Sequence, residues 1–257
     1  MPPSFFDSPR PGYVPGGSVH VVSFIVGGFD AAAAAGLAAV ATPSALGLPH
    51  GVAVHLHGPE DRAFTGWIRE VLDATDPPHP SALAASAAWV ELSGDTGDRP
   101  DHAALGAAWR AVRRLVLAAG PSGALWDGLV LAWRSADEVR ATPPDDPRLA
   151  AAWRCDTVDG LVGADGAAFV CVHTLGLAKF GRRDLVAFGG TAATDLLRDL
   201  VSGLGRDLID GGVLHPGDRV ARSGLHLDVL PYVPGETGPP LDVPFFVPPL
   251  VVVPAGP

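Results

Sequence analysis

Cysteine occurs twice in this chain, lysine once, and no run of basic residues is longer than two. Each scarcity excludes something. Cys155 and Cys171 are too few for a disulfide scaffold. One bridge between them is open, and two reduced, buried thiols are the expectation. Neither a CxxC pair nor a Cys/His zinc pattern is present. The single lysine is Lys179; the other basic residues are arginines, a bias that fits GC-rich codon usage and carries no functional reading. The formal net charge is −10, and no basic cluster exceeds Arg113-Arg114 or Arg182-Arg183. Nucleic-acid binders draw most of their affinity from neutralising phosphates with a basic patch. Nucleic acid is therefore not an expected partner, and neither is an anionic membrane surface.

Export and membrane signals are missing as well. Residues 1–17 have no basic start followed by an apolar core. The uncharged run 31–59 is alanine-rich and contains Pro43, Pro49 and three histidines. Residues 243–257 are apolar but short and broken by prolines. No transmembrane helix is expected, and a cytoplasmic location follows as the expectation. Neither GxGxxG nor GxxxxGK[ST] occurs, and there is no GxSxG, HExxH, EF-hand or kinase set. No repeat of fixed period appears.

What is present is apolar. Hydrophobic residues make up 47% of the 257, much of it alanine, and only 18% are charged. That length suits one large domain or two small ones. After a Pro/Gly-rich lead-in at 1–17, strands are predicted at 19–26, 51–57, 85–92 and 128–133 from their β-branched and aromatic content. Between them lie helices at 31–41, with Asp30 as its cap, at 60–74 and at 102–119. The helix at 60–74 places Phe64, Trp67, Ile68, Val71 and Leu72 on one face. The helix at 102–119 buries Leu105, Trp109, Val112 and Val116 and turns Arg110, Arg113 and Arg114 to water. Ser135 caps a short helix to residue 140. Residues 141–150 (ATPPDDPRLA) read as a linker. Beyond it come strands at 167–173 and 184–188, a helix at 192–209 capped by Thr191, and strands at 218–221 and 225–230. Residues 231–257 form an apolar, proline-rich tail, suited to an edge strand or an extended segment packed on its own domain or a neighbour's.

The element order is βαβαβαβ, then ββαββ. The class is α+β, mixed sheets packed with helices, with a lobe at 18–140 and a second lobe of the same domain at 151–230. The first stretch fits either a small three-layer sheet or a split β-α-β arrangement.

Four places carry candidate chemistry. His55 and His57 alternate onto one face of a strand. With Glu60 or Asp61 nearby they are candidate metal ligands; the alternative is a solvent-facing sheet surface. Gly27-Gly28-Phe29-Asp30 joins a strand to a helix and presents N–H groups that suit a phosphate, or simply a tight turn with a cap. Cys171 and His173 share a strand face and form a candidate nucleophile pair, set against a buried thiol in a very apolar strand (AAFVCVHTLGL). Lys179 joins them as the only lysine. Asp145-Asp146 and Asp156/Asp159 are read in loops, with nothing orienting them to one point. No cofactor is predicted.

The segment 173–188 (HTLGLAKFGRRDLVAF) holds Thr174, Gly176, Leu177, Phe180, Gly181, Asp184 and Leu185. In these residues it resembles a bacterial family known as a domain of unknown function, number four-two-six-one. Leu214-His215-Pro216-Gly217-Asp218-Arg219-Val220 looks like the family's later strand. Residues 123–133 (GALWDGLVLAW) are similar to a stretch it shows upstream. Arg182-Arg183 departs from the commoner proline-containing link, and the proline tail is peculiar to this chain. The resemblance implies an intracellular bacterial α+β domain without an established activity, of a kind that includes accessory and immunity proteins. Within the segment, Gly176 and Gly181 suit a turn between two core strands, plugged by Phe180.

The expectation is a non-catalytic protein-interaction domain of accessory or immunity type. Its partner is another protein, reached through the 231–257 tail, and a homo-oligomer is also open. The alternative is a small-substrate hydrolase or transferase built on the histidines with a metal, or on a Cys171 nucleophile.

Overall fold

The β-branched run after the lead-in becomes the middle of a sheet. In the computed structural model, which describes residues 4–16, 20–73, 81–162 and 166–255, it is β1 (Val21–Gly27). The expected strand start at 19, the helix end at 74, residues 1–3 and 17 of the lead-in and the last two tail residues lie outside the described residues. The class is α+β. The chain divides into two compact units: residues 1–8, 21–97 and 101–152, and residues 9–20, 98–100 and 153–257.

In the first unit β1 is followed by α1 (Ala31–Val40), α2 (Pro43–Leu46), β2 (Val52–His57), α3 (Arg62–Asp73), α4 (Ser81–Ala84), β3 (Trp89–Asp95) and α5 (Ala103–Ala118). Then come β4 (Ala124–Asp127), β5 (Ala132–Ser135), α6 (Ala136–Ala141) and α7 (Pro147–Ala150). The strands form a sheet in the order β2-β3-β1-β4-β5 with every neighbour antiparallel. Since β3 lies between β1 and β2 and opposes both, those two run parallel. This is the split arrangement. Asp30 Oδ1 accepts from Ala33 N and caps α1, as its sequence position implies. Phe64 and Ile68 of α3 pack against Ile25, Trp89 and Trp126. The α5 stripe of Leu105, Trp109, Val112 and Val116 is buried.

The strand predicted at 128–133 is instead a hairpin. β4 ends at Asp127, whose Oδ1 accepts from Leu129 N, and Leu131 turns the chain with φ 54° before β5. A short apolar run does not reveal its own turn. Ser135 and Glu138 close a capping box at α6. The linker at 141–150 holds α7, capped by Asp146, and stays with the first unit; the division falls between Ala152 and Trp153.

The second unit contains β6 (Arg154–Val162), β7 (Ala168–Leu175), β8 (Leu185–Gly190), α8 (Thr194–Ile209), β9 (Arg219–Arg222), β10 (Leu225–Pro231) and β11 (Leu250–Pro254). They form a sheet in the order β6-β7-β8-β11-β10-β9, antiparallel except for the β8–β11 pair. Several features depart from expectation. Asp156 and Asp159, read in a loop, lie on the edge strand β6, where charge suits a solvent-facing margin. The tail, read as an edge strand or packed extension, supplies β11 between β8 and β10, with Leu250, Val251 and Val252 buried. Thr191 begins a 3-10 turn, and its side chain makes no cap for α8. Trp67, placed with the apolar face of its helix by periodicity, is 46% exposed.

Candidate functional site

The segment linking β7 to β8 is built around two left-handed glycines. Gly176 has φ 100° and Gly181 φ 72°, and a 3-10 turn of Leu177–Phe180 sits between them. A Cβ on Gly181 would overlap the His20 ring. Leu177, Ala178, Lys179 and Phe180 are all buried. Polar groups close the turn from inside. Thr174 Oγ1 donates to Asp184 Oδ1 at 2.9 Å and accepts from Leu185 N at 2.8 Å, so its one proton and one of its two lone pairs are committed. Leu177 N donates to the same carboxylate oxygen at 3.2 Å. Burial pushes the Asp184 carboxyl up to about 7, against the opposing pull of the Leu177 N–H, the Thr174 hydroxyl, the Gly176 N–H and the Lys179 charge. Lys179, 3% exposed, is thus the cationic neighbour of a buried carboxyl.

The next residue but two extends the same inward pattern. Arg182 donates from Nε to Gly212 O and from Nη2 to Gly211 O and Val14 O. Arg10 donates to Leu208 O and Ile209 O. Two guanidiniums therefore hold the carbonyl end of α8, where the helix dipole favours positive charge. Asp98 Oδ1 lies 3.9 Å from Arg182 and 3.4 Å from His20.

Cys171 and His173 do share a face of β7, as alternation requires, but that face is covered. Cys171 packs with Val186, Tyr232 and Val251, and Phe188, Leu241 and Phe245 lie against the same cluster. Its thiol is fully buried and pushed up to about 12. A nucleophile needs the thiolate. His173 meets the Phe245 ring edge-on at 5.7 Å, burial holds its imidazole below the ordinary value, and its Nδ1 has no hydrogen-bond partner among the described residues. Both cysteines are free. Cys155 pairs with Thr174 across β6–β7 while Cys171 pairs with Val158, so the two thiols point to opposite faces of the sheet.

His57 lies on β2 between two carboxylates. Its Nδ1 is 2.8 Å from Asp61 Oδ2, its Nε2 is 3.1 Å from Glu91 Oε2, and its ring stacks on Phe64 at 3.8 Å. The His57 hydrogen bond, followed by the Phe64 N–H, holds the Asp61 carboxyl below the usual range. Both ring nitrogens of His57 therefore face carboxylates. The His55 ring lies 6.4 Å away, and no group of three or more metal-ligating side chains occurs among the described residues. His173 belongs to the other unit. The Gly28 and Phe29 N–H groups, read as suiting a phosphate or simply a tight turn, both donate to Ser86 Oγ. Asp146 caps α7 and pairs with Arg148, and Asp156 pairs with Arg154.

One place was not singled out by its sequence. Arg110, Arg113 and Arg114, read as solvent-facing, line a groove of about 480 Å³ in the first unit together with Leu46, Ala107, Leu117 and Pro144. Arg113 donates to Val139 O and Thr142 O, and Arg114 to Leu46 O. Arg110 lies 3.7 Å from Asp145. The signal was present as a stripe of α5 at 107, 110, 114 and 117, helical spacing on the face opposite the buried one.

No helix among the described residues is long and apolar enough to cross a membrane. No family model matches the chain, and no curated protein or solved structure matches it. The resemblance at 173–188 rests on the residues that carry it.

Proposed function

From these placements we propose a non-catalytic protein-interaction domain, of the accessory or immunity type that the motif around Thr174 and Asp184 suggests. One observation carries it: the polar and thiol side chains of β7 and the turn after it are directed inward and tied to the fold. Thr174 and Asp184 close a turn, Lys179 sits beside the carboxyl, and Cys171 is a core thiol pushed up to about 12. A hydrolase or transferase reading needs a thiolate or a metal-ready imidazole, and this arrangement favours neither. Because the tail supplies an inner strand, the proposed docking surface is the folded body rather than a free tail.

Affinity capture on the tagged full chain, then reconstitution from two purified proteins with mass by light scattering, tests this. The expected result is a complex of defined stoichiometry. A chain that reconstitutes with none of the captured proteins and keeps its own 26.3 kDa overturns it.

A further inference from the structure

The geometry points to the α5 groove as a binding site for a small amphiphilic anion, an apolar body bearing a carboxylate or phosphate head. Four properties converge. Its volume of about 480 Å³ is of ligand size, and Leu46, Ala107, Leu117 and Pro144 give its lining an apolar part. Its wall carries three guanidiniums in a chain whose formal charge is −10, a local reversal of sign.

Two of those guanidiniums are held in place. Arg113 is fixed by the carbonyls ending α6 and Arg114 by the carbonyl ending α2. A carbonyl accepts a hydrogen bond but does not cancel a charge. Both arginines therefore remain cationic and have little side-chain freedom left to lose on binding. Carboxylates at the starts of α6 and α7 are engaged with other groups: Asp137 with Arg140, Asp146 with Arg148, and Glu138 in the α6 capping box. Asp145 approaches the groove, 3.7 Å from Arg110, with both side chains substantially exposed. Such a pair is weak, so an incoming anion displaces it at small cost. An anionic head meets the Arg110 guanidinium while the apolar body covers Leu46 and Leu117. Neither a bare anion nor a neutral apolar molecule satisfies both parts.

Calorimetric titration with 2-naphthoate, 1-naphthyl phosphate, 2-naphthamide and inorganic phosphate tests this. Either or both naphthyl anions should bind saturably with Kd below about 1 mM, and the neutral amide and inorganic phosphate at least about tenfold more weakly. The anion that binds more tightly identifies the preferred head group. Arg110→Gln should weaken the naphthyl anions by about tenfold or more without moving the melting temperature, since its exposed pair with Asp145 is weak. Leu117→Glu gives the same readout from the apolar part of the lining. Equal binding of the amide, equal binding of inorganic phosphate, unchanged affinity in both variants, or no saturable binding of either naphthyl anion overturns the assignment.

Discussion

Asp184 ionises in a place water does not reach, at 1% exposure, and that fixes the sign of its effect on stability. In an unfolded chain its carboxyl releases its proton near pH 4, whereas the folded form holds it up to about 7. Between those values the folded state binds the extra proton, so this group makes stability fall as pH rises. His173 works in the opposite direction. Its burial keeps the imidazole neutral below the ordinary value of about 6.5, so its contribution is lost as pH falls beneath that value. Denaturant melts at pH 5 and pH 8 separate the two. Asp184→Asn should lose less stability than the wild type on going from pH 5 to pH 8. His173→Phe, which removes a buried nitrogen without a described partner, should be more stable than the wild type at pH 5 by about 1 kcal/mol. A His173→Phe chain destabilised at both pH values would return the imidazole to a role the packing does not show. Cys171 should resist iodoacetamide at neutral pH in the native protein, because its thiol is pushed up to about 12. Alternation alone placed Cys171 and His173 on one face. Which side was covered was not legible, because the covering residues, Tyr232 and Phe245, lie more than fifty positions downstream.

Helix and strand positions were most legible where one face is buried and the other wet. α5 follows its stripe, and Asp30 and Ser135 cap where their side chains imply. The errors lie where a pattern is two-sided or interrupted. β11 is apolar, but the prolines around it masked an inner strand, and β6 hid behind Asp156, Asp159 and Gly160. The neighbouring arginines 182 and 183 look equivalent in sequence yet differ in the fold. Arg182 is 3% exposed and holds the carbonyls of Gly211, Gly212 and Val14, whereas Arg183 is only partly buried. Arg182→Ala should cost about 1–3 kcal/mol, the price of leaving buried acceptors without donors. Arg183→Ala should stay within about 0.5 kcal/mol of the wild type. Equal losses in chemical denaturation would mean that the grip on the α8 end contributes nothing.

Neither unit is continuous in sequence, and this was the least legible property of the chain, because a proline-rich lead-in looks like loose chain. Residues 4–8 stay with the first unit: Phe6 is fully buried against Gly106, and its carbonyl accepts from His102 N. Residues 9–16 stay with the second. Gly12 N donates to Asp210 O, Val14 N to Gly211 O, and Arg10 to Leu208 O and Ile209 O. The α8 end is therefore satisfied by a segment that precedes it by some two hundred residues. A fragment of residues 153–257 retains every strand of its sheet and the whole of α8, yet lacks those donors and the Arg10 charge on the helix dipole. Unsatisfied carbonyls at a helix end each cost about 1–3 kcal/mol once buried, and a whole domain has only about 5–15 kcal/mol in hand. The fragment should therefore melt without a sharp transition by circular dichroism, and a synthetic peptide of residues 9–20 added in excess should restore cooperativity. If the fragment melts as sharply as the full chain, and the peptide changes nothing, the lead-in is an ornament on a sheet that is stable without it.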